Sequence, residues 1–69
     1  MNITSYSKTE LAQFYIPNRS PEAARRTLMN WIQRNHPLKR ALKKAGYRDE
    51  NRIFTPEQVR LICKYLGAP

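Results

Sequence analysis

The sequence of 69 residues contains one cysteine, one histidine and five acidic residues. A lone cysteine excludes a disulfide within the chain, and one cysteine with one histidine cannot form a Cys/His zinc site. No apolar stretch approaches the roughly 20 residues of a membrane span, and residues 1–4 lack the charged and apolar regions of a signal peptide. These absences predict a soluble, cytoplasmic protein with a single domain over residues 1–69.

Side chains suited to catalysis are equally scarce. The sequence has no Ser/His/Asp or Cys/His set and no glycine-rich phosphate loop. Three of the five acids, Glu10, Glu22 and Glu57, stand where helices are predicted to begin, a position that favours negative charge. We therefore predict that the protein is not an enzyme and uses no metal, cofactor or small-molecule substrate.

Positive charge is what the sequence has in excess. Thirteen basic residues give a net charge of +8. The excess is confined to residues 19–48, where Glu22 is the only acid, and the remaining charges cancel. The nine basic residues of this stretch are Arg19, Arg25, Arg26, Arg34, Lys39, Arg40, Lys43, Lys44 and Arg48. Such a concentrated field on a small domain predicts a polyanion as partner.

Two capping boxes mark the starts of the first and last helices. Ser7 with Glu10, and Thr55 with Gln58, have the spacing at which each side chain bonds the backbone N–H of the other residue. The first helix should end near Ile16, because the proline that follows disfavours helical geometry in the residue before it.

The longest predicted helix is the second. Ser20 and Pro21 suit its N-cap and first helical position, and it extends to about Asn35, before a break at residues 36–37. Apolar residues at helical spacing predict a core stripe that includes the tryptophan. The stripe is Ala24, Leu28, Trp31 and Ile32.

A short third helix, a polar loop and a fourth helix complete the chain. The third helix is closed by Gly46, a residue type suited to a helix C-terminus. Residues 47–54 predict two short extended arms around a polar tip, with Tyr47 and Phe54 anchoring this hairpin in the core. Cys63 falls on the apolar face of the fourth helix, where we expect a buried thiol without a chemical role.

This order of elements favours a mainly α fold, a small winged helix-turn-helix of four helices with a short hairpin wing. In such domains the second helix of the motif enters the major groove of DNA, and the wing meets the phosphate backbone. Arg48 and Arg52 would lie on the two arms of the wing.

Four short motifs carry a resemblance that spans residues 6–66. They are Glu10-Leu11-Ala12, Thr27-Leu28-Met29-Asn30-Trp31, Gly46-Tyr47-Arg48 and Phe54-Thr55-Pro56-Glu57-Gln58-Val59. In this order they resemble the DNA-binding domains of MerR-type regulators and of phage excisionases. The resemblance implies binding of double-stranded DNA and, for Arg48, a contact to the phosphate backbone. Residues 15–20 depart from the family pattern, which has a turn with glycine or another small residue.

The chain is also similar, and more closely, to a family of short uncharacterised bacterial proteins. These share a K-x-E-L-A start, a W-I pair and the ending F-T-P-x-Q-V-x-L-I-x-x-Y-L-G-x-P, which residues 54–69 match. This second resemblance implies no known activity.

The candidate DNA contacts lie on the turn, the second and third helices and the wing. Arginine pairs with guanine, asparagine and glutamine pair with adenine, and basic side chains bind phosphates. The candidates are Arg19, Ser20, Arg25, Arg26, Asn30, Gln33, Lys39, Arg40, Lys43, Lys44, Arg48 and Arg52. We expect a small transcriptional regulator or an excisionase-like architectural factor, acting as a homodimer or as a cooperative array on DNA.

Two alternatives stay open at the level of the sequence. The basic face could bind an acidic protein, with Met29 and Tyr15 as an apolar centre. It could instead bind RNA, although double-stranded RNA hides its major groove from a helix. The sequence also lacks the exposed aromatic pairs on which single strands stack.

Overall fold

Four helices and one short antiparallel strand pair make up the fold, as a computed structural model of residues 1–69 describes it. In chain order the elements are β1 Tyr6–Ser7, α1 Lys8–Tyr15, α2 Pro21–Arg34, α3 His36–Lys44, β2 Ile53–Phe54 and α4 Pro56–Leu66. The predicted fold class, mainly α with four helices and a small antiparallel strand pair, is confirmed. No helix has both the length and the apolar character needed to cross a bilayer.

Both predicted capping boxes are present. The Ser7 hydroxyl accepts from the Glu10 amide at 3.0 Å, and the Glu10 carboxylate accepts from the Ser7 amide at 2.9 Å. Thr55 and Gln58 repeat this arrangement at 3.2 and 3.0 Å. Each box satisfies two N–H groups that the first turn of a helix would otherwise leave free. The starts of α1 and α4 are therefore determined locally.

Gln58 has a second function, because its side chain also ties α4 to α3. It is 1% exposed, and its Nε2 donates to the carbonyl oxygen of Ala45 at 3.1 Å, just beyond the end of α3. The oxygen and the nitrogen of this buried amide are thus both hydrogen-bonded, the oxygen within its own capping box and the nitrogen to a residue 13 positions earlier in the chain.

We expect Gln58→Met to lower the free energy of unfolding by about 2–4 kcal/mol. The thioether keeps the size of the side chain but leaves the Thr55 N–H and the Ala45 carbonyl unsatisfied, and each buried unpaired group costs about 1–3 kcal/mol. Urea denaturation measures the change. The control is Gln13→Met, because Gln13 makes one exposed bond, to the Arg19 carbonyl. Equal losses for the two variants would contradict the buried role of Gln58.

The core lies where α1 packs on α2 and α3 packs on α4. Its twelve buried residues are Leu11, Ala12, Ile16, Ala24, Leu28, Ile32, Leu38, Leu42, Tyr47, Phe54, Val59 and Ile62. The stripe predicted for α2 is confirmed except for its tryptophan. Trp31 is 41% exposed and meets Tyr15 edge to face. Helical spacing gives the direction of an apolar face but not its width, and Trp31 lies at the margin of that face.

The partner of β2 differs from the one that the sequence suggested. Ile53–Phe54 pairs with β1, with Phe54 opposite Tyr6, rather than with an arm at Tyr47. The Tyr47 N–H is already used, because it donates to the Leu42 carbonyl at 2.9 Å. Residues 47–52 therefore form a loop that leaves α3 and returns to β2, and the predicted two-armed hairpin at 47–54 is wrong.

A left-handed glycine directs the chain into this loop. Gly46 has φ of +85°, and its N–H donates to the Lys43 carbonyl at 3.1 Å. Together with the bond from Tyr47 to Leu42, this is the Schellman arrangement that closes a helix, and it favours glycine because of the positive φ. The predicted end of the third helix is confirmed.

The junction between α2 and α3 is shorter than expected. Only Asn35 separates them, and its side chain accepts from the Leu38 amide at 3.1 Å as the cap of α3. His36 and Pro37 form the first turn of α3, so the predicted break at 36–37 lies one residue too late. Proline is tolerated in a first turn because its missing N–H would have no helical partner there.

Candidate nucleic-acid interface

The outer face of α2 carries three of the side chains that the sequence predicts to contact bases. Arg26, Asn30 and Gln33 are all exposed and lie opposite the buried stripe of Ala24, Leu28 and Ile32. No ion pair or side-chain hydrogen bond engages Arg26 or Asn30. We call Arg26, Asn30 and Gln33 the outer face of α2. A continuous polar helix face of this kind is what a helix presents to a groove of DNA.

A basic cleft lies beside this face, between α2, α3 and the loop of residues 47–52. It encloses about 230 Å³, less than the roughly 300–1,000 Å³ of pockets that bind small molecules. Its apolar floor is formed by Ile32, Leu42 and Tyr47, and its polar lining by Gln33, Lys39, Lys43, Arg48 and Asp49. We call this the α3–loop cleft. Three cations face one carboxylate across it, so the cleft is suited to an anion.

The loop that forms one wall of the cleft is held at two points. The Tyr47 ring stacks on Phe54 with centroids 5.3 Å apart and an angle of 26° between planes, which confirms the predicted anchoring of both aromatic residues. On the other side, the Lys8 Nζ donates to the Asp49 carbonyl oxygen at 2.8 Å and lies 5.2 Å from the Tyr47 ring centroid. These contacts fix the loop against the start of α1.

Lys8 is a residue that the sequence reasoning missed. Burial lowers its pKa below the usual value, and the charge of Asp49 partly offsets this. Its partner is 41 residues away, so no local pattern identifies the contact. One signal was available: Lys8 is the first residue of α1, where a positive charge opposes the helix dipole and needs another reason to be present.

Two candidate arginines, Arg25 and Arg52, line a second groove that is wholly polar. Arg25 also approaches the Glu22 carboxylate at 3.8 Å, and its side chain is 40% exposed. Asp49 and Glu50 line the same groove. With Lys8, three basic side chains face two carboxylates in this groove, whereas three face one carboxylate in the α3–loop cleft.

The remaining candidates are dispersed. Arg40 shares one shallow depression with His36, Lys39 and Lys43 and another with Lys44 near Tyr65, and neither Arg40 nor Lys44 lines the α3–loop cleft. Ser20 caps α2 by accepting from the Ala23 amide at 3.3 Å, and Arg19 lies exposed in the turn before it. The structure thus brings together Gln33, Lys39, Lys43 and Arg48, and it leaves Arg19 and Ser20 at the far end of α2.

The chain matches a known protein family over nearly its whole length. The family described as a domain of unknown function, DUF4248, matches residues 2–69. The chain belongs to the DUF4248 family. No curated protein and no solved structure matches it. The prediction of an uncharacterised family is thus confirmed, and the helix-turn-helix resemblance stays a prediction.

One buried side-chain polar atom of this DUF4248 domain has no hydrogen-bond partner in the protein. The Tyr47 hydroxyl oxygen is buried at the floor of the α3–loop cleft without a hydrogen bond. Burial, together with the charge of Asp49, raises the pKa of Tyr47 to about 12. A buried hydroxyl without a partner destabilises the folded state, because it loses its bonds to water and gains none.

We expect Tyr47→Phe to raise the free energy of unfolding by about 1–2 kcal/mol, since it removes that unpaired group and keeps the ring stacked on Phe54. The comparison is Tyr6→Phe, because the Tyr6 hydroxyl donates to the Asn2 carbonyl at 2.8 Å in an exposed hydrogen bond, and its loss should lower stability by no more than about 0.5 kcal/mol. Urea denaturation of both variants gives the signs. Destabilisation by both would mean that the Tyr47 hydroxyl has a partner.

Proposed function

We propose that this DUF4248 domain binds double-stranded DNA, as a small transcriptional regulator or an excisionase-like architectural factor. The observation that carries the proposal is the uncompensated basic surface where the outer face of α2 adjoins the α3–loop cleft. There Lys39, Lys43 and Arg48 stand against a single lining carboxylate, that of Asp49.

In this proposal the outer face of α2 lies in the major groove. Arg26 would pair with guanine, and Asn30 and Gln33 with adenine, through two hydrogen bonds each. Because α2 has 14 residues and follows directly on the capped turn at Ser20, its polar side chains project from a rigid element. These side chains are exposed, so their hydrogen-bond donors and acceptors are available to bases.

Phosphate contacts would come from the α3–loop cleft and the exposed surface of α3. A phosphate of the DNA backbone is small enough to enter a cleft whose volume is below that of most ligand pockets. Lys39, Lys43 and Arg48 supply charge-assisted hydrogen-bond donors. Arg40 and Lys44 would extend this contact along α3. Such contacts determine register and much of the affinity, whereas the α2 contacts determine sequence preference.

The proposal includes no catalysis. The five carboxylates either cap helices, as Glu10 does, or pair with neighbouring arginines, as Glu22 and Glu57 do, or lie on the loop. RNA is the competing polyanion. A helix such as α2 matches the B-form major groove, whereas the A-form groove is too narrow to admit it.

The test is a competition measured by fluorescence anisotropy. The protein is bound to a labelled DNA duplex at low salt, and unlabelled duplex, RNA hairpin of matched sequence, or single-stranded DNA is added. The proposal predicts that the unlabelled duplex displaces the label at the lowest concentration. Absence of binding to the labelled duplex, or more effective displacement by the RNA hairpin, would overturn it.

A further inference from the structure

The exposed tryptophan on α2 belongs to a second surface, separate from the basic cleft. Trp31 and Gln33 are two residues apart and hence about 200° apart around the helix axis. The Trp31 ring meets the Tyr15 ring edge to face, with centroids 6.3 Å apart and an angle of 85° between planes. A ligand on Trp31 would therefore leave the outer face of α2 free.

Two shallow depressions that share Pro37 continue from Trp31 across the junction of α2, α3 and α4. The first is lined by Trp31, Arg34, Asn35, His36, Pro37 and Leu66. The second is lined by Pro37, Arg40, Ala41, Lys44 and Tyr65. We call Trp31, Leu66, Pro37, Ala41 and Tyr65 the aromatic strip. Its rim holds Arg34, Arg40, Lys44 and His36, and neither depression is lined by a carboxylate.

The floor beneath Trp31 is fixed by hydrogen bonds. The Tyr15 hydroxyl donates to the Gly67 carbonyl oxygen at 2.6 Å and lies 3.7 Å from the Cys63 sulfur. Cys63, expected as a buried thiol, is half-buried and packs against the core. These contacts join the end of α1 to the end of α4 and hold the Tyr15 ring in place against Trp31.

We propose that the aromatic strip binds an acidic, amphipathic segment of a partner protein. Its apolar residues would accept the aliphatic or aromatic side chains of such a segment, and the rim of Arg34, Arg40 and Lys44 would pair with carboxylates beside them. Tryptophan and arginine are enriched among the residues that contribute most of the binding energy of protein interfaces, chiefly near the centre of the contact, where Trp31 would lie, whereas charges at the rim mainly set specificity and the rate of association. This proposal does not depend on the binding of DNA, but the acidic segment and DNA would compete for Arg40 and Lys44, which both proposals use.

Two other occupants fit less well. A second copy of the chain would bring another net charge of +8 to the surface, and like charges at an interface oppose association. A single nucleic-acid strand would stack its bases on aromatic faces. The strip instead offers aliphatic Leu66, Pro37 and Ala41 between Trp31 and Tyr65, which suits side chains better than bases.

The probe is a library of random peptides displayed on phage and selected on the intact protein. We expect the enriched peptides to combine acidic residues with hydrophobic anchors. The tightest-binding of these peptides, once synthesised, should change the fluorescence of Trp31, the only tryptophan. Labelled-peptide anisotropy should then show about 30-fold weaker binding to Trp31→Ala, the loss typical of an interface hot spot, and weaker binding to Arg34→Glu. Trp31→Phe should restore part of the loss.

Arg60→Glu is the matched charge control, because Arg60 lines neither depression and pairs only with Glu57. It should bind the peptide like the wild type, and circular dichroism confirms that each variant is folded. The proposal is overturned if no acidic peptides are enriched, or if Arg34→Glu and Arg60→Glu bind alike. The proposal is also overturned if sedimentation shows a dimer in which the Trp31 fluorescence is quenched. It is likewise overturned if a single-stranded oligonucleotide displaces the labelled peptide more effectively than unlabelled peptide does.

Discussion

Replacing Lys39 and Lys43 together by alanine should weaken duplex binding about 50-fold near 0.1 M salt. Both side chains line the α3–loop cleft, and each neutralised phosphate contributes about −0.9 to the slope of log K against log salt. Two lost contacts should therefore make the slope less negative by about 1.8. Anisotropy titrations of a labelled duplex at several salt concentrations measure both quantities.

The matched control for this variant is Arg60 and Lys64 replaced by alanine. These residues have the same spacing on α4, are also exposed, and remove the same charge from the protein. Their loss should leave the slope unchanged and lower the affinity only slightly. If the two double variants lose equal affinity and equal slope, the binding depends on net charge alone, and the α3–loop cleft has no special role.

Phe54→Ala should lower the free energy of unfolding by about 3–5 kcal/mol, the range for deletion of a buried phenylalanine. Phe54 is fully buried, stacks on Tyr47 and pairs across the strands with Tyr6. In a domain of fewer than about 70–80 residues a single core rarely supplies more than about 3–5 kcal/mol, so this variant should be largely unfolded or close to it. Urea denaturation followed by circular dichroism measures the change.

Its neighbour Ile53 provides the control, because the two residues point to opposite faces of the same strand. Ile53 is 57% exposed, so Ile53→Ala should change stability by about 0.5 kcal/mol. Comparable losses for Phe54→Ala and Ile53→Ala would contradict the burial of Phe54. They would also remove the reason for the fixed position of the loop at residues 47–52.

The parts of the fold that the sequence predicted correctly are those with local causes. The capping box of Ser7 with Glu10 involves residues three apart, and its geometry follows from the helix itself. Gly46 closes α3 through bonds to the preceding turn. In both cases the side chain and the backbone that it satisfies lie within one turn, so the pattern and the structure coincide.

The errors concern contacts between distant parts of the chain. The pairing of Tyr6 with Phe54 joins two strands of two residues each, which are too short to show the alternation that identifies strands and their partners. Trp31 has helical spacing with the core residues but lies at the edge of the apolar face, beside Tyr15. Neither outcome follows from spacing within one element.

The candidate site shows the same division. Exposure of the cations on α3 follows from the apolar pattern of that helix. Arg40 and Lys44 lie opposite Leu38 and Leu42, and Lys39 and Lys43 flank them. The grouping of Lys39 and Lys43 with Arg48 around one cleft requires the loop to fold back over α3. The hydrogen bond from Lys8 to the Asp49 carbonyl oxygen, which helps to hold that loop, joins residues 41 positions apart. Its only sign in the sequence is a positive charge at the start of a helix, where such a charge is unfavourable.

The salt dependence of duplex binding by the unmodified protein tests the central proposal most directly. If about six phosphates are neutralised by the basic surface, log K should fall against log salt with a slope of about −5. The measurement needs only one labelled duplex and a series of salt concentrations. A slope near zero, or no binding even at the lowest salt, would contradict DNA binding through the outer face of α2 and the α3–loop cleft.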